Sequence, residues 1–174
     1  MYTYITTGTY EFLKGLAAKY PQEKMLIMQN AQVTQLWHET NGQTVFQAPR
    51  KYEVIGFAGE LATSGFVACN NIPVRDEGRP LFEYGFTNQA KSIEKESGFK
   101  AMRVLRPLSS DTYVVMTMWE DEKSFESWKS SQAFKDAHKM SGGAKSTENK
   151  GIMAGPSYVA TFVVSDDELE RPEE

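Results

Sequence analysis

Between Phe66 and Val164 the spacing of apolar residues changes period in a fixed order, and that order limits the folds open to the chain. FVACNNIPV alternates like a strand, with Phe66, Ala68 and Asn70 on one face and Val67, Cys69 and Asn71 on the other. From Pro80 to Ser97 the period lengthens: Phe82, Phe86, Ala90 and Ile93 make a helical stripe, and Gly98 can close it in a left-handed conformation. Phe99 to Leu108 and TYVVMTMW (112–119) read as two strands joined by a Ser-Ser-Asp turn. A helical stretch follows, and SYVATFVV from Ser157 is a last strand. The order β-α-β-β-α-β predicts an α+β, ferredoxin-like domain over 66–164: an antiparallel sheet with both helices on one face. The opposite face must then be covered by something else.

The first half offers a cover. YTYITTG is β-rich, and TYEFLKGLAAKY carries a helical stripe of Phe12, Leu13, Leu16, Ala17 and Tyr20 before Pro21. KMLIMQ, VTQLWHET and YEVIGFAG read as strands, and Asn41-Gly42 predicts a hairpin joining LWHET to QTVFQ. Residues 1–60 are therefore expected to form a smaller β-rich α+β domain, with a linker at 60–65. Its element order leaves open a degenerate copy of the second half, packed sheet to sheet against it. His38, beside the expected hairpin, reads as an exposed side chain without a special role. The acidic tail 165–174 reads as a solvated terminus.

The helical stretch WEDEKSFESWKSSQAFKDAHK (119–139) concentrates the chemistry. Glu120, Asp121 and Glu122 suit a helix start, where the unpaired N–H groups favour negative charge. Phe125 and Trp128 share a face. Ser130-Ser131 interrupts the pattern, and a second segment then carries Phe134, Ala137 and His138 on one side. On pattern alone, Trp128 is a core residue and His138 a hydrogen-bonded one.

At 174 residues with 40% hydrophobic content, the chain can fill a core. A net charge of −4 and the lack of basic runs argue against nucleic acid as a partner. No segment approaches a membrane span or an apolar leader, so a cytoplasmic protein is expected. The single cysteine, Cys69, has no partner for a disulfide, and no Cys/His cluster is present to hold a bare metal ion.

Phe66-Val67-Ala68-Cys69-Asn70, Ser97-Gly98-Phe99 and the run Trp119, Phe125, Trp128, Ala133-Phe134-Lys135, Ala137-His138-Lys139 together resemble the IsdG/HmoB-type haem-degrading monooxygenases, in their two-part form. These belong to the wider antibiotic biosynthesis monooxygenase group. The resemblance implies that His138 is the axial ligand of haem iron, that Asn70 faces the open axial position, and that Trp128 presses the porphyrin out of plane. Phe125 and Phe134 would help form the slot. An imidazole suits the iron, an amide donates a hydrogen bond to dioxygen without an acid's ready proton, and ring distortion is a lever on haem electronics. Haem would be both cofactor and substrate, opened to a linear tetrapyrrole with release of iron. Electrons would come from a reductase or small reductant. Met116, Met118, Phe82 and Phe86 are further candidates for the slot, and Arg75, Arg103, Arg106 and Lys139 for the propionates.

The two-part layout also resembles the staphylococcal TRAP proteins, which implies a haem-binding, stress or signalling protein without turnover. A cofactor-free monooxygenase acting on a quinone-like aromatic is a third reading. The second half could pair its open sheet face within one chain, as a monomer with an internal pseudo-dimer, or with another copy, as a homodimer.

Overall fold

Side-chain alternation along the strand Gly65–Pro73 sends Val67 and Cys69 into one buried cluster and Phe66, Ala68 and Ile72 into another. A sheet buried on both faces organises the whole molecule. The computed structural model describes residues 1–87, 90–131 and 151–164. The elements are β1 (Tyr2–Thr7), α1 (Tyr10–Ala18), β2 (Lys24–Gln29), β3 (Thr34–Thr40), β4 (Arg50–Gly59) and β5 (Gly65–Pro73). They continue as α2 (Arg79–Thr87), α3 (Ala90–Ile93), β6 (Phe99–Pro107), β7 (Thr112–Trp119), α4 (Glu122–Lys129) and β8 (Tyr158–Val164). The second segment of the 119–139 stretch, with Phe134 and His138, lies outside the described residues, as do Lys139 and the tail.

The second half has the strand order β8-β5-β7-β6, all antiparallel, as a split β-α-β arrangement requires. The first half runs β4-β1-β3-β2, the same order counted from its own first strand. The two sheets join edge to edge, β4 with β6 and β2 with β8, and close one barrel. No separate N-terminal domain is seen among the described residues. The edges that an independent domain would expose meet across the halves, along most of β4 and β6 and at one register pair between β2 and β8.

Three apolar clusters result. Inside the barrel, Ile5, Leu26, Met28, Trp37 and Tyr52 from the first half meet Val67, Leu105, Met116, Met118 and Phe162 from the second. Between the second sheet and α2–α4 lie Phe66, Ala68, Ile72, Phe82, Phe86, Met102, Trp119 and Phe125. A smaller cluster under α1 holds Leu13, Leu36 and Phe46. One end of the barrel interior is closed by a buried ion pair: Arg103 Nε donates to Glu39 Oε2 at 2.8 Å, and its Nη1 to the carbonyls of Ala58, Gly59 and Met102.

Two further sequence expectations fail here. The stretch QTVFQ is not a strand, because β3 already pairs with β1 on one edge and β2 on the other and has no edge left for a hairpin partner. Phe46 instead folds back into the cluster under α1. His38 is not exposed. It is fully buried, its ring nitrogens 3.2 Å from Thr44 Oγ1 and 3.1 Å from Glu23 Oε2.

Candidate functional site on the helix side of the second sheet

Asp121 starts α4, its side chain accepting the backbone N–H of Ser124 at 2.8 Å, and Ser130 and Ser131 end it by donating to the carbonyls of Glu126 and Trp128. The double serine that broke the sequence pattern thus stops the helix at Lys129. Gly98, with φ +81°, lies directly beneath: a Cβ there would stand 2.2 Å from Ser124 Oγ, so only glycine lets this turn approach the helix.

On its buried face α4 presents Phe125 and Trp128. The Trp128 ring lies 5.3 Å from that of Trp119 and 6.3 Å from that of Phe125, while Phe125 lies 5.7 Å from Phe66. Trp119 is fully buried, and its Nε1–H has no hydrogen-bond acceptor among the described residues. Phe125 is buried beneath, and Trp128 is half-exposed above it.

Asn70 occupies the same side of β5 as Ala68 and Ile72. It sits four residues, about 13 Å, along the strand from Phe66. It is no edge residue, pairing Val115 on β7 and Val159 on β8. Its neighbour Asn71 faces the barrel and spends its amide on the carbonyls of Cys69 and Tyr158. Asn70 is half-buried, and no hydrogen bond joins its side chain to the described residues. Between Asn70 and the aromatic stack the sheet carries only short side chains: Ala68, with Thr161 paired beside it, and Val159 and Val163 on β8. Val159 and Val163 remain exposed at 53% and 46%.

The far end of this face is polar and closed. Arg106 reaches Glu83 with Nε at 3.0 Å and Glu53 with Nη1 at 2.9 Å, and the Tyr113 hydroxyl donates to Glu83. Burial works to raise the Glu83 pKa, but the bonds from Arg106 and Tyr113 hold it below the usual carboxylate range. Burial and the same carboxylate push the Tyr113 hydroxyl well up, so it remains a donor.

The structure therefore brings Asn70, Trp128 and Phe125 to one face. It corrects other expectations. Met116 and Met118 point into the barrel, because alternation along β7 puts Val115, Thr117 and Trp119 on the helix side. Arg103 is buried against Glu39 and Arg106 is held by two carboxylates, so neither is free for a propionate. The exposed strip on β8 escaped the sequence reading. Its signal was present in SYVATFVV, where apolar residues fall on both faces of one strand.

The described residues contain no helix long and apolar enough to cross a membrane. Residues 65–140 match the antibiotic biosynthesis monooxygenase family. A haem-degrading monooxygenase of Listeria monocytogenes is 26% identical over 76% of this chain and 80% of its own length. The signal transduction protein TRAP of Staphylococcus aureus is 29% identical over the same shares. Among solved structures, a major regulator of staphylococcal pathogenesis superposes with a TM-score of 0.82 at 24% identity, covering 95% of this chain and 100% of that one. A haem-degrading enzyme from Listeria monocytogenes superposes with a TM-score of 0.73 at 22% identity, with the same coverage.

Proposed function

We propose that this protein, whose residues 65–140 match the antibiotic biosynthesis monooxygenase family, is a haem-degrading monooxygenase, opening its substrate to a linear tetrapyrrole with dioxygen and electrons from an external donor. The observation that carries this reading is the pairing, on one face, of an uncommitted amide at Asn70 with the half-exposed indole of Trp128, across a floor of short side chains. A flat apolar ligand fits such a floor. Buried polar groups are normally satisfied within the protein, and the Trp119 Nε1–H beside Trp128 is a further donor without an acceptor among the described residues.

In this reading His138 would hold the haem iron, Trp128 would press on the macrocycle, and Asn70 would donate a hydrogen bond to bound oxygen. Phe125 supports Trp128 from below, and Phe134 would help form the slot. The substrate's own iron supplies the activation of dioxygen, and the protein positions the ring and excludes water.

Hemin titration tests the proposal. A Soret shift that is lost in His138→Ala, together with bleaching of the bound band and release of chelatable iron under ascorbate and air, supports it. An unchanged titration in His138→Ala overturns it. The 29% identity to TRAP favours a second reading as a haem-binding or signalling protein without turnover. Haem that binds through His138 but does not bleach selects that reading.

A further inference from the structure

The barrel is closed unequally at its two seams. β4 and β6 pair from Tyr52↔Pro107 to Gly59↔Ala101, whereas β2 and β8 share the single register pair Gln29↔Val163. Beyond that pair β2 has ended, and β8 runs on toward Tyr158 with β5 on one edge and no strand on the other. The Asn30 side chain bridges the gap instead: Nδ2 donates to the carbonyl of Thr161, and Oδ1 accepts from the backbone of Gln32 and Val33. Behind this clasp, inside the barrel, lies a cavity of 280 Å³.

Its walls are chemically divided. Ile5, Trp37, Val114 and Phe162 give an apolar base. Arg50 lies at the rim and is exposed, and among the described lining residues it is the one charged group. No ion pair joins it to a carboxylate among the described residues, and it shares a face of β4 with the buried Tyr52 two residues on. The Gln35 side chain accepts the Trp37 indole N–H at 3.0 Å, which orients both and leaves the Gln35 amide N–H groups as donors. Burial pushes the Cys69 thiol up to about 12, so at neutral pH it is an inert wall and not a nucleophile.

We infer that this seam cavity is a binding site for a small aromatic monocarboxylate, its ring against Trp37 and Phe162 and its carboxylate on the Arg50 guanidinium. Size limits the class: a dry cavity of about 150 Å³ accepts benzene, so 280 Å³ takes roughly ten non-hydrogen atoms, one ring and its acid group. Charge sets the sign, since a planar guanidinium matches a carboxylate bidentately and no acidic side chain lines the cavity among the described residues. The site lies on the opposite side of β5 from Asn70 and Trp128. Its occupancy is therefore independent of the helix-side face.

Calorimetry with benzoate, and with benzamide as the neutral match, tests this on the full chain. Benzoate should bind one to one with a sub-millimolar Kd, and benzamide about tenfold more weakly. Arg50→Gln should bring benzoate down to the benzamide level and leave benzamide unchanged. Ala160→Leu, filling the cavity from β8, should abolish both while the circular dichroism spectrum stays native, and Trp128→Ala should change neither. No benzoate binding, or binding insensitive to Arg50→Gln and Ala160→Leu, would overturn the assignment. So would loss of binding in Trp128→Ala, which would move the ligand to the helix side.

Discussion

The two halves of the barrel share a strand order and differ in what they do with their polar groups. Under α1, the first half buries His38 and supplies both ring nitrogens with partners, Thr44 and Glu23. Under α2–α4, the second half leaves the Asn70 amide unpaired and the Trp119 Nε1–H buried without an acceptor among the described residues. A polar group satisfied at home is structural. One held in place without a partner is available to a ligand, because leaving it unpaired costs free energy that binding would recover. The strand order is repeated, but on their helix-covered faces the two halves treat polar groups differently.

The largest expected effect concerns the bond between the halves. Arg103 and Glu39 come from different halves, are 2% and 8% exposed, and meet inside the barrel. Arg103→Met leaves the buried Glu39 carboxylate with Lys24 Nζ, at 3.6 Å, as its remaining ion-pair partner and should cost about 3 kcal/mol in urea unfolding. The double variant Arg103→Met, Glu39→Leu should recover most of that loss. Two separate unfolding transitions in the single variant would mean that the halves fold independently, which would break the comparison at its root.

Next come substitutions that separate support from chemistry. Leu13→Ala removes a fully buried side chain beneath α1 and should destabilise by about 2–4 kcal/mol, with hemin binding unchanged in the folded protein. Trp128→Ala should do the reverse: a smaller loss of stability, because the indole is half-exposed, with loss of haem turnover. His38→Ala should cost about 2–3 kcal/mol and leave the Soret band of added hemin in place. A Soret band that disappears in His38→Ala would put the iron ligand in the wrong half.

Local patterning made much of this legible. The period-two alternation of β5 correctly put Asn70 opposite Cys69, and the Ser130-Ser131 break correctly ended α4. Long-range pairing was not legible. Nothing local to KMLIMQ or YEVIGFAG says that their free edges meet β8 and β6 and make one barrel of two sheets. The same blindness produced the false hairpin at Asn41-Gly42, a sound turn signal next to a strand whose edges were already taken. The single charges of Arg103 and Arg106 were visible in the chain, but their carboxylate partners come from residues far away in sequence.

The smallest effect lies at the polar end of the helix-side face and reads through pH. Glu83 has a folded-state pKa below the ordinary glutamate value: burial raises it, but the hydrogen bonds from Arg106 and Tyr113 outweigh that. A depressed carboxylate stabilises the fold fully above its unfolded value, and the contribution is lost as pH falls through the folded value. Thermal unfolding of the parent protein should therefore weaken on acidification from neutral pH through the carboxylate range. Glu83→Gln should remove part of that slope and lower stability at pH 7 by about 1–2 kcal/mol, a modest amount because the cluster is partly solvated and Arg106 keeps Glu53. Since this cluster is closed upon itself, hemin affinity at pH 7 should not change. A large loss of hemin binding in Glu83→Gln would show that the polar end shares in ligand recognition, and would extend the functional face of the second half beyond Asn70.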